Sequence, residues 1–145
     1  MRENCVSEPK RPMPRPSELS EPHWAGARAH RLMVQQCRNC AIYNFPPRPV
    51  CPRCFSTELD WKQSSGRGTI YSYTVIHRAP DPSFDPPYCA AIITLEEGWS
   101  MISNVIGTPM DELAVGLPVH VEFVPFGELT LPMFKLEISK DGNGG

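Results

Sequence analysis

Two pairs of cysteines constrain this chain more than any other feature of its sequence. Cys37 and Cys40 form one CxxC pair, Cys51 and Cys54 form a second, and ten residues separate the pairs. This spacing lets two tight turns present four thiolates tetrahedrally to one metal ion. The intervening segment 41–50 contains three prolines and cannot form a long helix. The pattern therefore predicts a small unit held together by a metal.

Zinc is the ion that this ligand set favours. Thiolates are soft ligands, and four protein ligands close a tetrahedral shell, which leaves no position for an activated water. We therefore expect one structural Zn²⁺. Its binding free energy replaces the hydrophobic core that a segment of about 25 residues is too short to build.

Two alternatives stay open at this point. Iron in a rubredoxin-like site uses the same ligands, although Ala41 and Phe55 stand where such turns commonly have glycine. Disulfides would need an oxidising compartment, and the first residues contain no hydrophobic stretch that would direct export. We expect a cytoplasmic protein without membrane contact, because no apolar run approaches the roughly 20 residues of a spanning helix. Cys5 and Cys89 are expected to be free thiols.

The rest of the chain predicts a mainly β protein with one principal core. Residues 1–16 form a polar, proline-rich tail that we expect to be flexible, and residues 17–36 carry apolar side chains at near-helical spacing after Pro22, which indicates one or two short helices. The zinc ribbon is assigned to residues 37–62 and a β-barrel to residues 63–140. Residues 141–145 are expected to be a flexible C-terminus.

Five short strands with turn signals between them favour a barrel of the oligonucleotide/oligosaccharide-binding (OB) type. Glu96, Glu97 and Gly98 form the turn of a hairpin, and we expect both carboxylates to be solvated there. The predicted strands are Thr69–His77, Tyr88–Leu95, Trp99–Ile106, Val119–Pro125 and Met133–Ile138.

A set of short motifs resembles a known family. It consists of His23-Trp24, Val34 to Cys40, Phe45-Pro46-Pro47-Arg48, Cys51 to Cys54, Gly66 to Thr74, Pro87-Tyr88, Leu95 to Gly98 and Val115 to Val119. Together these motifs, which extend over nearly the whole chain after the tail, are similar to the zinc-ribbon OB-fold family formerly catalogued as domain of unknown function 35. Such proteins are accessory subunits of thiolase-superfamily and related acyl-CoA enzymes.

The resemblance implies a non-catalytic accessory subunit in a hetero-oligomer. Its partner would be a thiolase, a hydroxymethylglutaryl-CoA synthase, a C-acyltransferase or a steroid side-chain aldolase, which make or break carbon–carbon bonds in acyl substrates. The ribbon and the N-terminal helices would supply docking surface. The resemblance also allows the barrel to contribute to an acyl or pantetheine channel and to contact a CoA thioester.

The residues themselves predict no catalytic group. His77 ends the first predicted strand, whereas His23, His30 and His120 are far apart in sequence. The apolar neighbours of Cys89 make an unreactive thiol the expected state. Arg38, Arg48 and Arg53 surround the ribbon and either meet a CoA phosphate or an acidic partner, or only solubilise the metal turns. A free-standing thioesterase or acyltransferase is a further hypothesis, for which the chain alone should show turnover.

Single-stranded nucleic-acid binding is the alternative function, because zinc ribbons and OB barrels are common in proteins that bind DNA or RNA. Residues 1–62 contain ten Lys and Arg against six Asp and Glu, whereas residues 63–145 contain four against ten. An acidic barrel opposes phosphate binding. We therefore expect no nucleic-acid partner.

Overall fold

The computed structural model describes residues 12–137, so Cys5, most of the predicted tail and the predicted C-terminus lie outside the described residues. Residues 12–16 have no regular secondary structure. The helices and strands are, in chain order, α1 (Glu21–Arg28), β1 (Met33–Cys37), β2 (Tyr43–Asn44), β3 (Leu59–Gln63), β4 (Arg67–Ile76), β5 (Tyr88–Leu95), β6 (Ser100–Val105), a 3₁₀ turn (Met110–Glu112), β7 (Pro118–Phe126) and β8 (Leu129–Leu136).

The N-terminal helix is shorter than predicted. It begins with Glu21 and a proline in its first turn, and it ends because His30 adopts a left-handed conformation (φ 63°) while the Arg31 N–H bonds back to the Gly26 carbonyl at 2.8 Å. The helical interpretation of residues 33–36 is wrong. These residues belong to β1, which pairs along its length with β3. A long-range strand pairing overrides the local periodicity.

The ribbon is a three-stranded antiparallel sheet in the order β2-β1-β3. Its central strand β1 places Val34 in the core of the barrel. Leu32, the residue just before β1, lies in the same core, and both residues are at most 2% exposed. Phe134 and Ile70 of the barrel belong to the same cluster. The ribbon and the barrel therefore share one core, and each stabilises the other through apolar burial.

The five predicted barrel strands are confirmed as a closed barrel in the order β4-β5-β6-β8-β7. Neighbouring strands are antiparallel except for β6 and β8, which are parallel and registered at a single pair, Val105 and Phe134. The last strand begins at Leu129, ahead of the predicted Met133, because Pro132 does not break it.

Pro132 fits inside a strand for a geometric reason. Its carbonyl accepts a hydrogen bond from the Ser103 hydroxyl of β6 at 2.8 Å, so this residue's backbone polar side faces β6. The nitrogen and the carbonyl of one strand residue face the same side, and the missing N–H therefore falls where β6 and β8 form no continuous ladder.

The hairpin between β5 and β6 joins the barrel to the end of the ribbon. Its Glu97 carboxylate accepts hydrogen bonds from the Ser64 hydroxyl at 2.8 Å and from the Ser65 N–H at 2.7 Å. The expectation that both carboxylates are solvated is confirmed for the exposed Glu96 but is wrong for Glu97, which is half-buried. Burial, the largest single effect, raises the pKa of Glu97, but several hydrogen bonds, led by those from Ser65 and Ser64, together outweigh it, so the pKa lies below its usual value.

Glu97→Gln should lower the free energy of unfolding at pH 7 by about 1 kcal/mol, because a neutral amide accepts these hydrogen bonds more weakly. A depressed carboxyl pKa stabilises the fold above the unfolded-state pKa of about 4.3 and ceases to do so as the pH falls. The difference between wild type and variant should therefore shrink below about pH 4. Denaturant titrations across this range, with Glu96→Gln as the matched control, test this. Equal effects of the two variants would contradict it.

Candidate metal centre

The fold brings the four predicted metal ligands together. Cys37 ends β1, Cys40 follows in the turn after it, and Cys51 and Cys54 lie on the second turn. All four sulfurs lie within 4.8 Å of one another, with 3.6 Å between Cys37 and Cys54 and 3.7 Å between Cys40 and Cys51. A tetrahedral zinc with Zn–S bonds of about 2.3 Å requires sulfurs roughly 3.8 Å apart. The arrangement fits one zinc ion.

Backbone and side-chain donors surround the sulfurs. The Cys40 N–H points to the Cys37 sulfur and the Arg53 N–H points to the Cys51 sulfur, each at 3.4 Å, and the Asn39 amide points to the Cys54 sulfur at the same distance. Such N–H donors stabilise thiolate charge. They orient ligands that would otherwise rotate freely, as the outer shell of a metal site does.

Two of the thiols differ in acidity when no ion is bound. The Asn39 amide, followed by a backbone hydrogen bond, lowers the pKa of Cys54 to about 6. At Cys40 a backbone hydrogen bond from Ile42 lowers the pKa. Burial and the three neighbouring thiols raise it by more, so the pKa of Cys40 is about 11. A cation between the four sulfurs favours the thiolate form of its ligands.

The turns close without the glycines that such sites commonly use. Ala41 and Phe55, each following the second cysteine of a pair, adopt left-handed conformations with φ of 69° and 63°. Each donates its N–H to the carbonyl of the first cysteine in its pair at 2.9 Å. The side chains therefore cause backbone strain but leave the turn geometry intact.

The arginines around the ribbon have different environments. Arg38 forms a bidentate contact with Asp60, with the shorter distance 2.7 Å, and a further ion pair of 3.1 Å with Glu58. Its side chain is therefore already paired within the ribbon. Arg48 and Arg53 are exposed. For Arg38, this internal pairing takes the place of both interpretations that the sequence allowed, which were contact with a phosphate or an acidic partner and simple solubilisation of the metal turns.

Gln35 is a site residue that the sequence analysis missed. Its buried amide donates to the Arg48 carbonyl at 3.0 Å and accepts the Arg48 N–H at 2.9 Å, so it fastens the proline-rich loop to β1. A glutamine in a strand carries no sequence signal for this role, because the partner is a backbone group 13 residues away.

Cys89 and the histidines do not come together in a catalytic site. Cys89 is fully buried, and burial raises the pKa of its thiol. His30 stacks on Phe123 with ring centroids 5.3 Å apart, His120 lies 3.9 Å from Glu137, and His77 is exposed.

No helix within residues 12–137 has the length and apolar character needed to span a bilayer.

Comparison with known proteins identifies both parts of the chain. The family model described as ChsH2, rubredoxin-like zinc ribbon domain, matches residues 24–60. The model described as ChsH2, C-terminal OB-fold domain, matches residues 61–124. The boundary between them falls inside β3, the last strand of the ribbon before the polypeptide enters the barrel.

Individual relatives extend this likeness. A probable enoyl-CoA hydratase alpha subunit of Thermomonospora curvata is 34% identical over 142 residues, which are 96% of this chain but only 44% of that protein. A DUF35 domain-containing scaffold protein of Methanocaldococcus jannaschii is 37% identical over 94 residues, 63% of this chain and 67% of the relative. A chain of the solved Ltp2-ChsH2(DUF35) aldolase superposes with a TM-score of 0.80 at 34% identity, covering 87% of this chain and 100% of that one.

The strained turns predict a gain in stability from glycine. Ala41→Gly should raise the free energy of unfolding by about 0.5 kcal/mol, because the relief of the left-handed strain exceeds the added entropy of the unfolded chain. Ala114 is also exposed but has no positive φ, so Ala114→Gly should destabilise. Denaturant unfolding of the zinc-loaded proteins distinguishes them. A loss of stability in both variants would refute the strain argument.

Proposed function

This chain belongs to the DUF35 family of zinc-ribbon and OB-fold proteins, and on that premise we propose that it is the non-catalytic subunit of a hetero-oligomeric enzyme. The enzyme makes or breaks carbon–carbon bonds in acyl-CoA or related acyl substrates, and the partner is a thiolase-superfamily or aldolase-type subunit. The observation that carries the proposal is the likeness, over the whole length of the solved chain, to part of the Ltp2-ChsH2(DUF35) aldolase.

The metal centre supports a structural role. Four thiolates close the coordination shell, so a zinc ion held there has no open position at which to polarise a substrate or activate water. The ion instead holds β1 in place, and β1 carries Val34 into the common core. The metal thereby maintains the surface that a partner would recognise.

The surface of the ribbon supports docking. Phe55 is 75% exposed on the second metal turn, Val50 is exposed just before that turn, and Leu19 is exposed in the segment before α1. A large aromatic side chain held in solvent by a strained backbone makes no evident contribution to folding, whereas exposed aromatics are common anchors at protein interfaces. We assign the docking surface to the ribbon and the N-terminal segment, and we assign to the barrel a contribution to the acyl or pantetheine channel.

The remaining chemistry also fits a partner-dependent activity. Cys89 is buried and its thiol pKa is raised, which disfavours the thiolate that a thioesterase or acyltransferase would need. The Glu97 carboxylate is engaged by two serines. Catalytic groups would therefore come from the partner subunit.

Incubation of the purified zinc-loaded chain with acyl-CoA thioesters should give no turnover, and activity should appear only when the partner is added and should saturate at a fixed ratio of the two chains. Release of free CoA by the isolated chain would contradict the proposal. If Cys89→Ser then abolished this release, the protein would be a free-standing enzyme of the thioesterase type.

Phe55→Gly should weaken the affinity for the partner by roughly tenfold or more, as expected for an interface anchor. The same change removes a left-handed phenylalanine, so the isolated variant should keep its zinc and be at least as stable as wild type. Val115→Gly is the matched control, because Val115 is 65% exposed and lies in the loop before β7. Unchanged affinity in the Phe55 variant would place the docking surface elsewhere.

A further inference from the structure

A cleft lies where the helix, the ribbon and the barrel meet. Its volume is about 370 Å³, within the range of small-molecule sites. Trp24 of α1 and the loop residues Phe45 and Pro46 form one wall, and Ile102 of β6 and Leu131 of β8 form the other. Ile102 is 74% exposed at this position.

The barrel topology explains why the cleft is present. Strands β6 and β8 are registered only at Val105 and Phe134, towards the end of each strand. The earlier parts of the two strands, which include Ile102 and Leu131, have no paired register with each other and form one side of the cleft. The cleft therefore follows from the way the barrel closes, with β6 and β8 paired at one position only.

His23 lies beneath this cleft and has an unsatisfied nitrogen. The imidazole is 5% exposed, meets Trp24 edge-on with ring centroids 4.9 Å apart and lies 5.3 Å from Phe45. Burial lowers its pKa, while a hydrogen bond to the Met33 backbone acts in the opposite direction. Within residues 12–137 its Nδ1 has no hydrogen-bond partner. A buried polar atom without a partner is costly, and its presence at the wall of a cleft requires an explanation.

The protonation state of His23 determines what this nitrogen can do. A neutral imidazole donates through one nitrogen and accepts through the other. The hydrogen bond to the Met33 backbone raises the pKa of His23, so the imidazole is the donor in it, through the nitrogen other than Nδ1. Nδ1 is therefore left as an uncharged acceptor. Arg15 is the single charged residue among the described residues that line the cleft, and it is exposed.

We propose that this cleft binds an uncharged, flat, apolar group that donates one hydrogen bond, the chemistry of a phenol or another hydroxylated ring, with His23 Nδ1 as the acceptor. Nδ1 is shielded from solvent, so the donor reaches it by displacing a neighbouring side chain. The half-buried Trp24, whose ring meets the imidazole edge-on, is the neighbour placed to turn aside. A ligand there touches helix, ribbon and barrel at once. The proposal concerns the isolated chain and does not depend on any partner subunit.

Phenol, toluene and benzoate are suitable probes for the zinc-loaded full chain. Phenol and toluene have similar size and differ in the donor, whereas benzoate carries a negative charge that only Arg15 would favour. Phenol should bind roughly tenfold more tightly than toluene, because it satisfies the buried acceptor. Benzoate should bind more weakly than phenol. Phenol should also move the imidazole ¹⁵N resonance of Nδ1 and change Trp24 fluorescence.

His23→Phe keeps a flat ring but removes the acceptor, so phenol and toluene should then bind equally. Ile102→Asp, a charge at the exposed rim, should weaken both probes, and Val115→Asp at a remote exposed position should weaken neither. Because the Nδ1 resonance is read in the wild-type protein, the test stands even if the His23 variant does not fold. Equal affinity for phenol and toluene in wild type, or an Nδ1 resonance unmoved by phenol, would overturn the proposal. Tighter binding of benzoate than of phenol would show an anion site at Arg15 instead and would also overturn it.

Discussion

The convergence of four cysteine sulfurs on one point is the constraint on which the rest of this structure depends. The ribbon strands are short, and β2 has only two residues, so backbone pairing alone would leave them marginal. Metal coordination connects the turn after β1 to the turn before β3, and β1 then carries Val34 into the barrel. Burial of that strand links ion binding to the stability of the whole chain. Gln35, which holds the proline-rich loop to β1, and Glu97, which holds the residues after β3, reinforce this linkage.

This dependence explains which parts of the molecule could be predicted from sequence. The metal ligands were predictable because CxxC spacing determines turn geometry locally, and β5 was predicted with its observed bounds because its apolar residues lie between clear turn signals. The helix was predicted too long because residues 33–36 satisfy a helical period and a buried strand equally well, and only pairing with β3 decides between them. The start of the last strand was predicted too late for a related reason. Whether a strand tolerates a proline such as Pro132 depends on which neighbouring strand its nitrogen faces.

The candidate site shows the same division. Ala41 and Phe55 looked like departures from a metal turn, yet the backbone adopts the left-handed conformation with these side chains in place. No pattern in the sequence indicates the roles of Gln35, His23 and the Glu97 carboxylate, because these roles arise from groups distant in the chain. Contacts of this kind become visible only when the ribbon, the helix and the barrel are assembled.

The four-cysteine site, the buried Cys89 and the exposed Phe55 on the ribbon support the proposal that this chain contributes shape more than reactive groups. The most direct test is affinity purification of the tagged protein from its native cells, with mass spectrometry of bound proteins and zinc analysis of the same sample. We predict one zinc ion per chain and a stoichiometric thiolase-like or aldolase-like partner. Recovery of the chain alone, or with nucleic acid in place of an acyl-CoA enzyme, would contradict it.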